Sequence, residues 1–437
     1  MAVCISSASC PAPTPVYTTP VTTIRTIRQL EPANPQAATE HRGEPFHFDE
    51  PEIERPFHDP RDAAGALNAK SERSTVATTI ASTARRVRWD QFDRGDRQRY
   101  RQWRDHDPRY ASPFFSLEFI DAVHAARADV VVVVIEDDYD TVGYLPIHVR
   151  RRTGYPAGRA MNDAHAVVAP AGVKFDWHSI LRQIGLRSID VHAWVAADQL
   201  DQMMIHRTVG SFAAAIGGCG DAFLQRLERQ HKTLRKQDQK TRKLAREVGP
   251  LCFQFDCEDP RVLQTAIAWK RDQYRRTDIL DHFLPPWTRR MLDQLSGRGV
   301  DDGCRVVVSG LRAGEHLVAA HVGLVEGDIL HYWFPTYDPA FAKYSPGTAL
   351  FKQVVRHAAD HGVAVVDMGY GEQPYKLKQT DRRCEVVVGS IATSSWVHRQ
   401  RHVRDYAVGL IKSAPGKRWL KRILRTVKPD AGVGKLR

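Results

Sequence analysis

The alternation of apolar and polar residues is most informative between positions 330 and 378. Residues 330–336 are aromatic and apolar enough for a buried strand. Apolar residues then recur at helical spacing over 349–358, and Gly362 is the residue type that commonly ends a helix. The short apolar run 363–366 predicts a second strand, and polar side chains follow it. The segment therefore predicts a strand, a loop, a helix and a strand, with a polar loop at its end.

The loop before this helix has the composition of an anion site. Ser345 is a preferred helix-capping residue, and Pro346 suits the first helical position because that position needs no N–H donor. A helix N-terminus presents backbone N–H groups and the positive end of the helix dipole to an anion. Lys343 adds a mobile cation. The pattern predicts a phosphate or pyrophosphate site, and an ordinary βαβ unit with a turn-rich loop is the alternative.

Along the whole chain, the pattern predicts two folded halves of similar order. Residues 87–219 and residues 220–395 each contain a hairpin, a polar loop, a helix and a strand. Residues 1–86 are rich in Pro, Thr, Ala and Ser and lack periodicity, which predicts a disordered N-terminal region. Residues 396–437 are predicted to form a basic amphipathic tail. We therefore expect two lobes between a disordered region and a tail.

Three short motifs in the second half carry a family resemblance. They are Tyr337-Asp338-Pro339, then Ser345-Pro346-Gly347, then the run from Asp367 to Lys376, which has the form Asp-x-Gly-x-Gly-[Asp/Glu]-x-x-Tyr-Lys. In this order and spacing the segment resembles the BioF2-like, or CelD-like, branch of the GCN5-related N-acetyltransferase (GNAT) superfamily, which is related to the Fem peptidyltransferases. Two positions depart from that pattern, since Met368 replaces an aromatic residue and Tyr370 replaces a basic one.

The resemblance implies an α/β fold of two tandem GNAT-like lobes. Each lobe would have a mixed, mainly antiparallel central sheet flanked by helices, over roughly residues 90–395. It also implies that the lobe at 220–395 binds acetyl-CoA or another acyl-CoA as substrate. The acceptor would then bind between the lobes.

The formal charge of +12 is concentrated in two segments. Residues 398–437 hold 12 Lys and Arg against two Asp, and residues 226–246 hold nine Lys and Arg against one Glu and one Asp. In the tail, residues 417–425 predict an amphipathic helix in peripheral contact with an anionic membrane. The other segment lies in a predicted long helix over 221–248. That helix predicts contact with phosphates, tRNA or an anionic glycan, and an ordinary solvated face is the alternative.

The composition bounds the class of protein. Hydrophobic residues make up 42% and charged residues 26%, which is ordinary for a globular protein. No apolar run reaches the roughly 18 residues of a membrane helix, and the N-terminus lacks a secretory pattern. Seven cysteines show neither a paired framework nor metal-ligand spacing. We expect a cytoplasmic protein without a metal, whose tail can hold it peripherally at the inner face of the membrane.

The polar residues after the second strand are the predicted catalytic residues. Glu372 is the predicted general base, because acyl transfer to an amine or hydroxyl requires removal of the acceptor's proton. A solvated loop glutamate is the alternative. Tyr375 would protonate the departing thiolate, a role that tyrosine fills in the family, or else pack against the helix. Asp367 is the third predicted catalytic residue, with a structural pairing to Lys376 as the alternative.

Two further groups of residues are predicted to bind ligands. The predicted acyl-CoA site comprises Lys343, Tyr344, Ser345, Gly347 and Thr348. The predicted acceptor site comprises Asp163, His165, Lys270, Tyr274 and Lys376. Asp163 and His165 are similar to a polar motif of the family, although a lone histidine is more often structural. Lys270 and Tyr274 are one helical turn apart, and a lysine stem lying along a core tyrosine is the alternative.

Together these features predict an acyl-CoA-dependent N- or O-acyltransferase. The acceptor would be an amine or hydroxyl of a sugar, a polysaccharide or an envelope precursor. A Fem-like transferase that uses aminoacyl-tRNA is one alternative, and a non-catalytic scaffold in exopolysaccharide assembly is another. Other nucleic-acid binding is not expected, because the basic runs lack interleaved aromatic residues and a reading motif.

Overall fold

The computed structural model describes residues 80–394, so the predicted tail at 396–437 and most of the N-terminal region at 1–86 lie outside the described residues. The described strands are β1 (Ile80–Ala81), β2 (Thr83–Arg88), β3 (Val130–Glu136), β4 (Thr141–Arg150), β5 (Thr153–Pro156), β6 (Lys174–Phe175), β7 (Ser188–Trp194), β8 (Met203–Ala215), β9 (Leu251–Gln254), β10 (Arg305–Ala313), β11 (His316–Glu326), β12 (Ile329–Tyr337), β13 (Val365–Tyr370) and β14 (Arg382–Ala392). The described α-helices are α1 (Arg94–His106), α2 (Leu117–Arg127), α3 (Trp177–Gln183), α4 (Gly220–Gln230), α5 (Lys232–Glu247), α6 (Pro260–Arg276), α7 (Pro286–Ser296), α8 (Pro346–Asp360) and α9 (Lys376–Gln379).

Most of these strands form one twisted sheet that runs through both halves of the chain. Its order is β2-β3-β4-β5-β7-β14-β8-β13-β12-β11-β10-β9. Within this sheet, β5 with β7 and β12 with β13 are parallel neighbours, and the other neighbours are antiparallel. Each parallel pair encloses a helical connection, α3 in the first half and α8 in the second. The predicted fold class, a tandem α/β arrangement with a mixed, mainly antiparallel sheet flanked by helices, is confirmed.

In the middle of the sheet, the two halves of the chain are not separate lobes. β14, from the end of the described chain, lies between β7 and β8 and pairs antiparallel with both. The 13-residue strand β8, which the sequence pattern does not predict, pairs on its other edge with β13. The two halves therefore share a continuous hydrogen-bonded ladder.

Two apolar clusters hold the helices to the sheet. The first includes Phe119 of α2, Ile267 of α6 and Met291 of α7, so it crosses the boundary between the halves. The second packs α4, α5 and α8 on the second half, with Leu350 of α8 fully buried. Burial of this apolar surface is the main stabilising contribution. A hydrogen bond also joins the two halves: the Arg290 side chain donates from Nη2 to the backbone oxygen of Ala126 at 2.7 Å.

Two predicted boundaries differ from the structure. β2 begins at Thr83 and pairs with β3, so folded backbone starts inside the segment 1–86 that the composition predicts to be disordered. The single long basic helix over 221–248 is two helices, because His231 has extended dihedrals of φ −121° and ψ 101°. No helix within residues 80–394 is long and apolar enough to span a bilayer.

Candidate active site

The parallel pair β12 and β13 separates in the middle of the sheet. The two strands pair at three positions, and the last of them joins His331 to Asp367. Beyond this point β12 continues along β11 to Tyr337, whereas β13 follows β8 to Tyr370. Two strands that stop pairing leave a gap lined by backbone N–H and C=O groups that need other partners. His331 and Asp367 therefore lie at the closed end of this gap.

A buried histidine joins carboxylates from both halves of the chain. His331 Nδ1 lies 2.9 Å from Asp367 Oδ2, and His331 Nε2 lies 3.2 Å from Asp163 Oδ2. The histidine side chain is 1% exposed, while the side chains of Asp163 and Asp367 are 27% and 23% exposed. We call this arrangement the Asp163–His331–Asp367 cluster. Its carboxylates reach solvent, and its imidazole does not.

The two carboxylates keep the imidazole protonated. Burial alone would lower the pKa of His331, but Asp367 and Asp163 together raise that pKa to about 9. Burial likewise opposes the charge on Asp163, yet the hydrogen bond and charge of His331, with Lys376, hold the pKa of Asp163 below its usual value. At neutral pH both ring nitrogens therefore donate, and Asp163 is an ionised carboxylate at the surface of the cluster.

Gly369 permits the close approach of these groups. Its φ is +68°, in the left-handed region that glycine adopts without strain. A Cβ at this position would lie 2.9 Å from His331 Cε1 and 3.0 Å from Asp163 Oδ2. The backbone N–H of Gly369 also donates to Asp367 Oδ1 at 2.8 Å. The glycine therefore fixes one carboxylate and leaves room for the other.

The loop that carries Asp163 is held by its neighbours. The Asn162 side chain donates to Ala157 O and accepts from Ala164 N, each at 2.8 Å. His192 Nε2 lies 2.9 Å from Asn162 O. The ring of His165 is buried, 5.0 Å edge-on from the Trp194 ring, and burial with His192 lowers its pKa. The predicted contact of His165 with the acceptor stays a prediction, and its ring packs the Asp163 loop against Trp194.

Two lysines lie beside the cluster. Lys376 is buried, and its Nζ donates to Gly369 O at 3.2 Å and to Tyr370 O at 2.8 Å. Burial lowers the pKa of Lys376 to about 8, against the opposing effect of Asp163 and Asp367. Lys270 of α6 is half-buried, 3.5 Å from Pro335 O, and burial with the charge of Lys376 lowers its pKa to about 8 as well. Both lysines are therefore perturbed cations, and Lys376 lies near the two carboxylates of the cluster.

Several tyrosines surround the same cluster. Burial raises the pKa of Tyr274, Tyr370 and Tyr375, and in each case the Asp163 carboxylate raises it further. All three phenols therefore stay protonated at neutral pH, as a proton donor must be. On β12, the Tyr332 hydroxyl is buried without a hydrogen-bond partner in the described chain, and its ring stacks on His321 at 4.3 Å.

The loop before α8 contacts the basic helix α5. Ser345 is the residue before α8, but its φ of +52° points its hydroxyl away from the helix, where it accepts from Lys240 Nζ at 2.8 Å. The expected side-chain cap is therefore absent there, and the Ser345 carbonyl accepts from Thr348 N at 3.1 Å instead. Tyr344 is buried, and its hydroxyl donates to Glu247 at 2.7 Å.

The rest of this loop is open to solvent. The Lys343 side chain is exposed and lies 3.6 Å from Glu247 Oε2. Gly347 and Thr348 form the first turn of α8 behind Pro346, as the pattern predicts. Lys240 has a lowered pKa, from burial and from neighbouring Lys236. The predicted cofactor residues are thus contiguous, and α5 adds a cation that the sequence pattern did not single out.

Glu372 lies apart from the cluster. Its side chain is 56% exposed and forms an ion pair of 2.9 Å with Arg383. Asp367, Tyr375 and Lys376, by contrast, lie in or beside the cluster. The catalytic role of Glu372 stays a prediction, and the geometry offers Asp163 as a second candidate base.

His331 is the functional candidate that sequence reasoning missed. It is the one strongly polar residue in the apolar strand pattern at 330–336, so it has the pattern of a tolerated core histidine. A signal was present, because parallel pairing of this strand with the next one brings His331 level with Asp367. Asp163 and His331 are 168 residues apart in sequence, so only the tertiary fold brings them into contact.

The second half of the chain is similar to a known domain family. Residues 231–377 match the acetyltransferase (GNAT) domain family, and this segment includes His331, Asp367 and the loop before α8. No curated protein matches the chain. The crystal structure of FemX has 10% sequence identity and a TM-score of 0.45, covering 70% of this chain and 98% of that chain. A tandem GNAT protein from the clavulanic acid biosynthesis pathway has 10% identity and a TM-score of 0.39, covering 71% and 98%. The more specific resemblance to the BioF2-like or CelD-like branch stays a prediction.

Proposed function

We propose that the chain is an acyltransferase that moves an acetyl or other acyl group from acyl-CoA to an amine or hydroxyl held at Asp163. The observation that carries this proposal is the Asp163–His331–Asp367 cluster. His331 and Asp367 lie at the point where β12 and β13 separate, inside the segment that matches a GNAT domain, and Asp163 reaches them from the first half of the chain. An ionised carboxylate, an imidazolium and protonated phenols there provide a base, a positioning group and acids.

The reaction needs one proton removed and one proton supplied. The acceptor's lone pair attacks the thioester carbonyl, its proton passes to the Asp163 carboxylate, and a carbon–nitrogen or carbon–oxygen bond forms. The carbon–sulfur bond then breaks, and the thiolate takes a proton from a phenol such as Tyr375. His331 remains protonated and orients Asp163, so it acts as a positioning residue. Glu372 is the alternative base under the sequence prediction.

The phosphates of acyl-CoA are proposed to bind at the start of α8. Backbone N–H groups of the first turn and the helix dipole attract anions there, and Lys240 and Lys343 add positive charge. The pantetheine arm carries amides, which suits the unpaired backbone edges between β12 and β13. The thioester would then reach the Asp163–His331–Asp367 cluster at the closed end of that gap.

The nature of the acceptor is part of the proposal. A sugar, polysaccharide or envelope precursor fits a site that lies at the boundary of the two halves and opens to solvent. A Fem-like transferase that uses charged tRNA is the second candidate, because α5 carries seven Lys and Arg in 16 residues. A protein that binds acyl-CoA without turnover, as a scaffold would, is the third.

Calorimetric titration of acetyl-CoA into the full chain tests the proposal. We expect micromolar affinity for the wild-type chain, lost in Gly347→Glu, because a carboxylate at the second position of α8 repels the phosphates. Gly95→Glu is the matched control, since Gly95 holds the same position in α1. Charged and uncharged tRNA are titrated in parallel. Absence of acetyl-CoA binding with salt-sensitive tRNA binding would move the assignment to the Fem-like candidate.

Turnover then separates the two candidate bases. With an accepted amine, release of free CoA is measured for Asp163→Asn and for Glu372→Gln. We expect the first variant to lose activity and the second to retain most of it, because Glu372 is exposed and paired with Arg383. The opposite result would return the role of base to Glu372. No release with any amine or sugar, despite acetyl-CoA binding, would favour the scaffold.

A further inference from the structure

Several further charged groups surround the Asp163–His331–Asp367 cluster. Three carboxylates influence the cluster and its neighbours in the described chain, namely Asp163, Asp367 and Asp281. The cations are His331, Lys270, Lys376 and Arg271, of which Arg271 is paired with Asp281 at 2.8 Å. Arg207 adds a further positive charge near Tyr370. The Asp281 carboxylate is therefore occupied by Arg271, and the Asp163 and Asp367 carboxylates are occupied by His331.

Lys270 is held only weakly by its neighbours in the described chain. Within residues 80–394, its hydrogen bond to Pro335 O is 3.5 Å long, at the outer limit for such a bond. Its ammonium lies 5.6 Å from the centre of the Tyr274 ring, which is a weak attraction. The group is half-buried and next to Lys376, and both effects disfavour its charge. A desolvated ammonium with such weak partners is stabilised most by an anion.

The Tyr274 ring contacts both Lys270 and a buried histidine. Tyr274 and His282 are in edge contact at 5.1 Å, and the His282 Nδ1 atom is buried without a hydrogen-bond partner in the described chain. Burial lowers the pKa of His282, and the charges of Asp163, Lys270 and Asp281 also act on that pKa. Lys270, Lys376 and His282 each carry a nitrogen that can donate to an anion, while Asp163 carries an acceptor.

We propose that Lys270, supported by Lys376, binds an anionic group of the acceptor, a carboxylate or a phosphate, while the acceptor's amine or hydroxyl lies at Asp163. The inference rests on the proposed function and narrows its substrate class. The acceptor is then a molecule whose nucleophile and anionic group lie close together, such as an amino acid, an amino sugar phosphate or a phosphorylated amine. Neutral amines and neutral sugars would be poor acceptors.

The first test measures anion binding without any need for turnover. Lysine labelled with ¹³C at Cε is followed by NMR during pH titration of the full chain, with and without inorganic phosphate or acetate. The Lys270 signal is identified by its loss in Lys270→Met. We expect each favoured anion to raise the Lys270 pKa by about one unit, since a bound opposite charge favours the ammonium. Lys174, on β6 and paired with Asp201 at 2.9 Å, is the control that should not move.

Each outcome of this titration either overturns the inference or assigns the class of the acceptor's anionic group. A pKa that is unchanged by both anions overturns the inference, as does an equal change at Lys174, which would reflect ionic strength alone. A response to phosphate but not to acetate assigns the acceptor class to phosphates, and the reverse assigns it to carboxylates.

The second test uses matched acceptors with acetyl-CoA. Ethanolamine is compared with phosphoethanolamine, and propylamine with β-alanine, by the rate of CoA release. We expect at least about tenfold higher kcat/KM for one anionic member in the wild-type chain, because a hydrogen bond to a charged group has about that effect. The preference should vanish in Lys270→Met and persist in Lys174→Met.

The two proposals fail in different ways. If no amine is acylated, the proposed function fails and the anion titration alone decides the inference. If neutral amines are acylated as well as anionic ones, the proposed function stands and the inference is overturned.

Discussion

His148 in the first half and His331 in the second are both buried strand histidines with a ring nitrogen 2.9 Å from an aspartate oxygen. They differ in what meets the other nitrogen. His148 Nε2 accepts from the backbone N–H of Gly158 at 3.0 Å, so the ring is neutral, and burial lowers its pKa despite Asp129. His331 meets a second carboxylate, and its pKa is raised to about 9.

The comparison shows how the same residue type serves two purposes. His148 closes a local structural contact, since Asp129 is also held by Arg127 at 2.6 Å. His331 instead carries a positive charge between two carboxylates that reach solvent, Asp163 from the first half and Asp367 from the second. The partner of the second ring nitrogen therefore decides whether a buried histidine is a structural link or a charged element of a candidate site.

The largest expected effect comes from removing the carboxylate that distinguishes His331. Asp163→Asn should lower kcat by about 10²- to 10⁴-fold, the usual contribution of a general base, and leave acetyl-CoA affinity unchanged. Asp129→Asn is the counterpart beside His148, and it should lower the unfolding midpoint without lowering kcat. Steady-state CoA release and thermal unfolding measure the two quantities. Equal losses of kcat in both variants would remove the distinction between the histidines.

A smaller effect is expected from displacing His331 and Asp163 without changing their side chains. Gly369→Ala adds a methyl group 2.9 Å from His331 Cε1, so the ring must move, and a shift of about 1 Å costs on the order of 100-fold in rate. Gly172→Ala is the matched control, because Gly172 has φ of +85° and no atom lies within 4 Å of the place that a Cβ would take there. Both variants should lose similar stability from backbone strain, and only the first should lose rate.

The smallest expected effect is a difference in how stability depends on pH. The folded pKa of His331, about 9, exceeds the unfolded value of about 6.5, so its contribution is full below pH 6.5 and declines as pH rises through 9. The upper bound is about 3 kcal/mol. His148 has the opposite sign, because its lowered folded pKa costs stability as pH falls below about 6.5.

Urea unfolding of the wild-type chain and of His331→Gln, at several values between pH 6 and 9, measures the His331 contribution by difference. The subtraction matters because Lys270 and Lys376, with lowered pKa values near 8, add a rise of stability above that pH. A wild-type minus variant difference that grows with pH would contradict a protonated His331.

Local pattern predicted most elements of the second half, and long-range pairing explains what it missed. The strands and helix around 330–366 carry strong apolar periodicity, and they lie close to where the pattern predicts them. β8 has few buried positions in its first part, so it lacks that signal, and it is a strand because β14 and β13 pair with it. His231 interrupts the basic helix by a backbone geometry that composition does not encode.

The candidate site was predicted in its parts rather than in its arrangement. The sequence predicts Asp367 as catalytic and Asp163, Lys270, Tyr274 and Lys376 as acceptor-binding residues. The fold joins Asp163 and Asp367 through one histidine, with Lys376 beside them. The sequence pattern does not single out His331, because a single polar residue in an apolar strand is normally a core residue. The role of His331 depends on Asp163, whose position follows from the packing of the two halves rather than from any local sequence pattern.

The central position of β14 has a consequence for how the protein is made. The last described strand must enter between β7 and β8, which means that neither half can complete its sheet until the chain is synthesised beyond Ala392. Until then two neighbouring strand edges remain open, and open edges are where chains pair wrongly or aggregate. Nascent chains halted before β14 should therefore depend on chaperones, whereas chains extended past it should fold without them.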